Sequence, residues 1–121
     1  MIRILFISIS VLIFLCTGCD KQVSFDSEEW KSSGGESIMT NKRLNMSHDL
    51  LAKKLLLNKT YSEIDSLIGN PSRTNKKDIN IRNYIVKEVY RYNIDPEELI
   101  YIAVKFDQEG KSIDAELIKT K

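Results

Sequence analysis

From Asn41 onward apolar residues recur first at helical and then at strand spacing. Leu44, Leu51 and Leu55 lie seven and four positions apart, Leu50 and Leu57 widen the stripe, Met46 adds to the same face, and Lys53 and Lys54 fall outside it. That spacing predicts an amphipathic helix over residues 41–58. In the next stretch, NKTYSEIDSLIGNPSR, Thr60 stands three positions before Glu63. The pair reads as a capping box, in which hydroxyl and carboxylate each satisfy an amide of the first turn. Tyr61, Ile64, Leu67 and Ile68 share one face, and Gly69 and Pro71 stop the run, predicting a short helix over residues 61–68. Beyond a polar loop the period falls to two. Residues 79–92 are rich in β-branched and aromatic side chains, with Arg82, Tyr84, Val86, Glu88, Tyr90 and Tyr92 alternating against Ile81, Asn83, Ile85, Lys87, Val89 and Arg91. Residues 99–106 place Ile100, Ile102, Val104 and Phe106 on one face, and residues 111–118 place Ile113, Ala115 and Leu117 inward. Turns rich in Asp, Pro, Glu and Gly separate these strands. The expected fold class is α+β: two helices packed on a three-stranded antiparallel β-meander, an ααβββ two-layer sandwich.

The N-terminal third follows other rules. After Arg3, residues 4–15 form a run of twelve in which only Ser8 and Ser10 are polar. A helix that crosses a bilayer needs about 20 apolar residues, so the run is too short for an ordinary span. A basic start, a short apolar core and small residues after it describe a secretory signal. Residues 20–40 are rich in Ser, Gly and acid and carry a net charge of −3. Such a composition buries little apolar surface and predicts a flexible tether. Phe25 and Trp30 are its exceptions. They either dock on a partner or fold back onto their own domain.

Both cysteines, Cys16 and Cys19, close the apolar run in the order Leu15-Cys16-Thr17-Gly18-Cys19. A zinc site would need two further ligands, and His48 is the one imidazole in the chain. A redox pair belongs inside a folded βαβ unit. The segment instead resembles a bacterial lipobox, with Cys16 where an aliphatic residue is more usual. That resemblance implies cleavage before Cys19, acylation of Cys19 and anchoring of the mature chain to a membrane. The expected organisation is a signal peptide at 1–18, a lipidated cysteine and tether at 19–40, and a folded domain at 41–121. Localisation would be the cell envelope, facing the periplasm or exterior, in a membrane that the sequence leaves open.

Charge and chemistry add little. Without residues 1–18 the formal charge is zero, with 17 basic and 17 acidic residues. This excludes a global basic field for nucleic acid. Arg73, Lys76 and Lys77 form a local cluster that either meets anionic lipid headgroups or is a solvated loop. Ser47, His48 and Asp49 invite a triad reading, but sequence neighbours on a helix point in different directions. No catalytic, metal-binding or cofactor motif is present. The expectation is a non-enzyme without metal or cofactor.

The lipobox, NKTYSEIDSLIGNPSR and the closing AVKFDQEGKSIDAEL together make the chain similar to the SmpA/OmlA (BamE-like) group of small bacterial lipoproteins. The resemblance covers roughly residues 50–117, with Asn58 where glycine is common. Thr60, Leu67, Gly69, Pro71, Phe106 and Gly110 carry it, and these specify caps, core and turn. It implies a membrane-anchored scaffold that binds an envelope protein, in outer-membrane protein assembly. The alternative is an inhibitor or ligand-binding module acting on an envelope enzyme, because the same unit occurs duplicated in a secreted β-lactamase inhibitor and fold does not fix function. Trp30, Tyr84, Tyr90 and Tyr92 are the expected partner contacts.

Overall fold

The computed structural model describes residues 23–74, 79–91, 94 and 96–120. Cys16, Cys19, Lys76, Lys77 and Tyr92 lie outside them. Three α-helices, α1 (Ser27–Ser32), α2 (Lys42–Ala52) and α3 (Tyr61–Ile68), and a 3-10 helix (Gly35–Met39) pack on one face of an antiparallel sheet. The sheet runs β1 (Arg73–Thr74), β2 (Ile81–Val89), β3 (Glu98–Phe106) and β4 (Ser112–Thr120) in that spatial order. The fold is α+β, a helical layer on a three-strand meander, with β1 as a two-residue addition to its edge.

Helix α3 has the bounds its sequence predicts. The Thr60 hydroxyl accepts from the Glu63 amide at 3.2 Å, and the Glu63 carboxylate accepts from the Thr60 amide at 2.9 Å. Gly69 ends the helix at φ 86° and ψ −172°, an extended region open to glycine.

Helix α2 is shorter than the predicted 41–58. It stops at Ala52 because the chain reverses through Lys54, whose φ is 56°. The Lys54 amide donates to the Leu51 carbonyl at 3.1 Å and the Leu55 amide to the Leu50 carbonyl at 3.3 Å. This pair of bonds is a Schellman motif with lysine where glycine is usual. Asn58 is also left-handed, at φ 58°.

The largest departure concerns the expected tether. From Val23 on, the segment is part of the domain. The Val23 amide donates to the Asn45 carbonyl at 3.0 Å, and the Phe25 amide to the Asp49 carboxylate at 2.7 Å. Asp26 caps α1 by accepting from the amides of Glu28 and Glu29. Trp30 is 0% exposed in the core, beside Met46, Leu50, Ile64, Tyr84, Val86 and Ile102. Burying one indole removes about 200 Å² of apolar surface from water, which contributes about 5 kcal/mol toward the cost of ordering a polar segment.

Arg43 joins this segment to the sheet. The residue is buried, and it donates from Nε to the Trp30 carbonyl and the Ser33 hydroxyl, and from Nη1 to the Ile85 carbonyl at 2.8 Å. Its guanidinium lies 5.5 Å from the Trp30 ring centre, and burial lowers its pKa from the usual value. A side chain at Gly34 would put its Cβ 3.1 Å from Nη2, so glycine admits the guanidinium here.

Strand β2 bulges at this carbonyl. Ile85 pairs with Tyr101 and Lys87 with Ile100, leaving Val86 as the extra residue. The bulge reverses the alternation: Tyr84 and Val86 enter the core, Lys87 then reaches the Asn41 side chain on the helical side, and Glu88 joins Asn83 and Ile85 on the opposite face. A second bulge at Ile113 corrects the third strand. Ile113 is 53% exposed, and buried Ser112 takes the inward position opposite Phe106.

Candidate protein-binding surface

The helices cover one face of the sheet, and the other face carries apolar residues of its own. On β3, Ile100, Ile102, Val104 and Phe106 are buried in the core, while Leu99, Tyr101 and Ala103 on the alternate face are half-buried. Ile85 and Ile118 are half-buried beside Tyr101, with which both pair. A groove of about 300 Å³ runs over this face, lined by Ile85, Leu99, Tyr101, Asn83, Glu88 and Thr120, with Ser72 at its edge. Three apolar side chains form its floor and polar groups its rim, the usual anatomy of a protein contact. Tyr90 is 39% exposed and donates its hydroxyl to Glu88 Oε2 at 2.5 Å. Asn83 Oδ1 is buried without a hydrogen-bond partner, which leaves one acceptor unsatisfied in the wall. Strand β4 ends the sheet. Among the described residues nothing pairs with its outer side, where exposed Asp114, Glu116 and Lys119 discourage indiscriminate strand addition.

The structure separates the residues expected to act together. Tyr84 is 1% exposed and donates its hydroxyl to Asp65 Oδ1 at 2.8 Å, so it is a core residue and not a partner contact. Trp30 is likewise enclosed. Of the expected contacts, Tyr90 is the one that the structure describes at the surface, and the β2 bulge puts it on the face opposite Tyr84. Arg73 lies in β1, paired with Asn83.

Ser47, His48 and Asp49 do not converge. Ser47 is buried and donates to the Leu44 carbonyl, His48 is exposed, and Asp49 accepts from the Phe25 amide and pairs with Lys53 at 3.1 Å. The Phe25 amide, with Lys53, holds the Asp49 carboxyl below the usual carboxylate range. Glu63 is engaged in its cap, and the same bonds lower its pKa.

Sequence reasoning missed a cluster on the helical side. The Arg82 guanidinium stacks 3.8 Å from the Tyr61 ring centre and stands 3.9 Å from Asp65, while Tyr61 packs on Phe106 at 4.1 Å. These contacts fix α3 on β2. Burial, and then the bond to Asp65, raises the Tyr84 phenol well above its ordinary value. Among the described residues no group of three or more His, Cys, Asp or Glu could hold a metal ion, and no helix is long and apolar enough to cross a membrane. No known protein family, no curated protein and no solved structure matches this chain.

Proposed function

We propose that this chain is a lipid-anchored protein of the cell envelope, attached through Cys19, whose domain is a non-catalytic protein-binding module. The observation that carries the reading is the sheet face that no described helix covers, where Ile85, Leu99 and Tyr101 floor a groove of about 300 Å³ rimmed by Glu88 and Asn83. The occupant that fits is an envelope protein offering an apolar side chain to the floor and hydrogen-bond donors to Glu88 and Asn83. Outer-membrane protein assembly is the process that the SmpA/OmlA resemblance implies for such a scaffold.

The test is recovery of the full-length protein from crosslinked, detergent-solubilised envelopes, with mass spectrometry of its companions. Outer-membrane assembly components, lost when Leu99→Glu and Tyr101→Glu are combined in a chain that keeps its circular dichroism, are the expected result. One soluble envelope enzyme at stoichiometric yield would favour the inhibitor reading. No reproducible companion would overturn the binding-module reading. Cys19→Ala is expected to release the chain from membranes, and persistent attachment would remove the anchor.

A further inference from the structure

We infer that the outer side of α2, with Val23, is the surface held against the bilayer, and that the open sheet face points away from it. The inference rests on the proposed anchor at Cys19. Three residues, Asp20, Lys21 and Gln22, separate Cys19 from Val23. A fully extended chain advances no more than about 3.6 Å per residue, so Val23 lies within about 14 Å of the acylated residue. Had residues 20–40 been a free tether, the domain would reach much further and turn at will. The docking of Val23 and Phe25 removes that freedom.

Where the chain joins the domain decides which side faces the membrane. The Val23 amide bonds the Asn45 carbonyl, and the Phe25 amide bonds Asp49. Val23 also lines shallow surface depressions with Lys42, Asn45 and Met46 and with His48, Asp49 and Ala52. Helix α2 turns Arg43, Met46, Ser47 and Leu50 into the core. Positions 42, 45, 48, 49 and 52 therefore lie on its outer side, since a helix advances 100° per residue. The attachment point is on the helical layer, and the sheet face that no described helix covers lies across the thickness of the domain.

The chemistry of this side suits an anionic lipid surface. Lys42, Lys53 and Lys54 are exposed, and His48 is exposed between them. The acids that face them are Glu29, 4.0 Å from Lys42, Asp49, which is occupied by the Phe25 amide and Lys53, and Asp114, which lines a depression with Lys54. The leash is short enough to let these lysines come within one Debye length of the headgroups, about 8 Å at physiological salt, where the attraction acts. Val23, 52% exposed, adds an apolar contact beside them.

Single cysteines at Ala52→Cys on α2 and Glu116→Cys on the open sheet face give the test. Each is carried by the full-length lipidated protein, in which Cys19 is blocked, and labelled with an environment-sensitive dye. The protein is reconstituted in vesicles of phosphatidylcholine with phosphatidylserine that contain a headgroup quencher. Attachment is checked first by flotation and by the mass of the N-terminal peptide. Several-fold stronger quenching at position 52 than at position 116 is expected. A flexible Gly/Ser insert of about 12 residues after Lys21 adds about 20 Å of reach and should bring the two signals together. Equal quenching at both positions in attached, uninserted protein would overturn the orientation and leave the anchor standing. Chains that fail to float would overturn both.

Discussion

Arg43 and Ile85 are bonded across the two layers, with Nη1 donating at 2.8 Å to the carbonyl where β2 bulges. The same guanidinium holds the Trp30 carbonyl. One side chain from α2 thereby fastens both the N-terminal segment and the sheet register. Arg43→Met keeps the apolar stem and abandons those carbonyls. A hydrogen bond to a charged group contributes about 1.5–3 kcal/mol, so a loss near 3 kcal/mol is expected in urea denaturation. Arg43→Lys, which lacks the planar fork, should recover part of it.

Ser112 has a comparable place at the other end of the sheet. Its hydroxyl donates to the Leu56 carbonyl at 2.6 Å and accepts from the Lys59 amide at 2.9 Å, tying the α2–α3 loop to β4. Ser112→Ala is expected to cost about 2 kcal/mol. Hydrogen exchange at the Lys59 amide should speed up more than global unfolding explains.

Lys54 sits in a left-handed conformation that costs an L-residue about 1–2 kcal/mol. Lys54→Gly removes that strain and adds unfolded-chain entropy of about 0.5–1 kcal/mol. A net gain of about 0.5 kcal/mol is expected, read as a higher urea midpoint.

Stability should fall at both ends of the pH scale. Asp49 and Glu63 ionise below the usual carboxylate range in the folded state. Their contribution is present above their unfolded values and is lost as pH falls through the lower folded ones. Tyr84 is raised instead, so its contribution is complete below the unfolded phenol value of 10.0 and is lost as pH rises beyond it. In an alkaline titration followed by tyrosinate absorbance, Tyr84 should ionise together with unfolding. Tyr84→Phe should abolish that coupled step, and Asp49→Asn should flatten the acid limb.

What the sequence reveals here depends on the range of the interactions concerned. Helix α3 is legible to the residue because its cap, stripe and stop all lie within a dozen positions. The core face of β3 is legible because its alternation is unbroken. The far half of β2 is not, because the bulge at Val86 reverses the phase of side chains that alternate perfectly in the sequence; on β4 Ala115 and Leu117 pack inward as expected, and the bulge turns Ile113 alone outward. The N-terminal segment shows how composition misleads. Its serines, glycines and acids are those of a linker, yet it docks through Trp30 and through backbone amides, and the amides are what composition does not encode. Two local signs were available: the aromatics Phe25 and Trp30, which fold back onto the domain, and Asp26 followed by Glu28 and Glu29, which has the form of a capped helix start. Arg43, Ser112 and the Arg82–Asp65 pair carried no pattern, since their partners lie on other elements. The groove required the sheet before its floor could be named.

Trp30 is the chain's single tryptophan, and from the N-terminal segment it reaches into the core between the other helices and the sheet. The protein therefore carries its own optical gauge of that seam. Indole emission shifts to the red on contact with water. A red shift with only the small loss of ellipticity that α1 and the 3-10 helix account for would register the peeling away of residues 23–40 alone. A shift that moves in step with lost ellipticity would register the collapse of the whole domain.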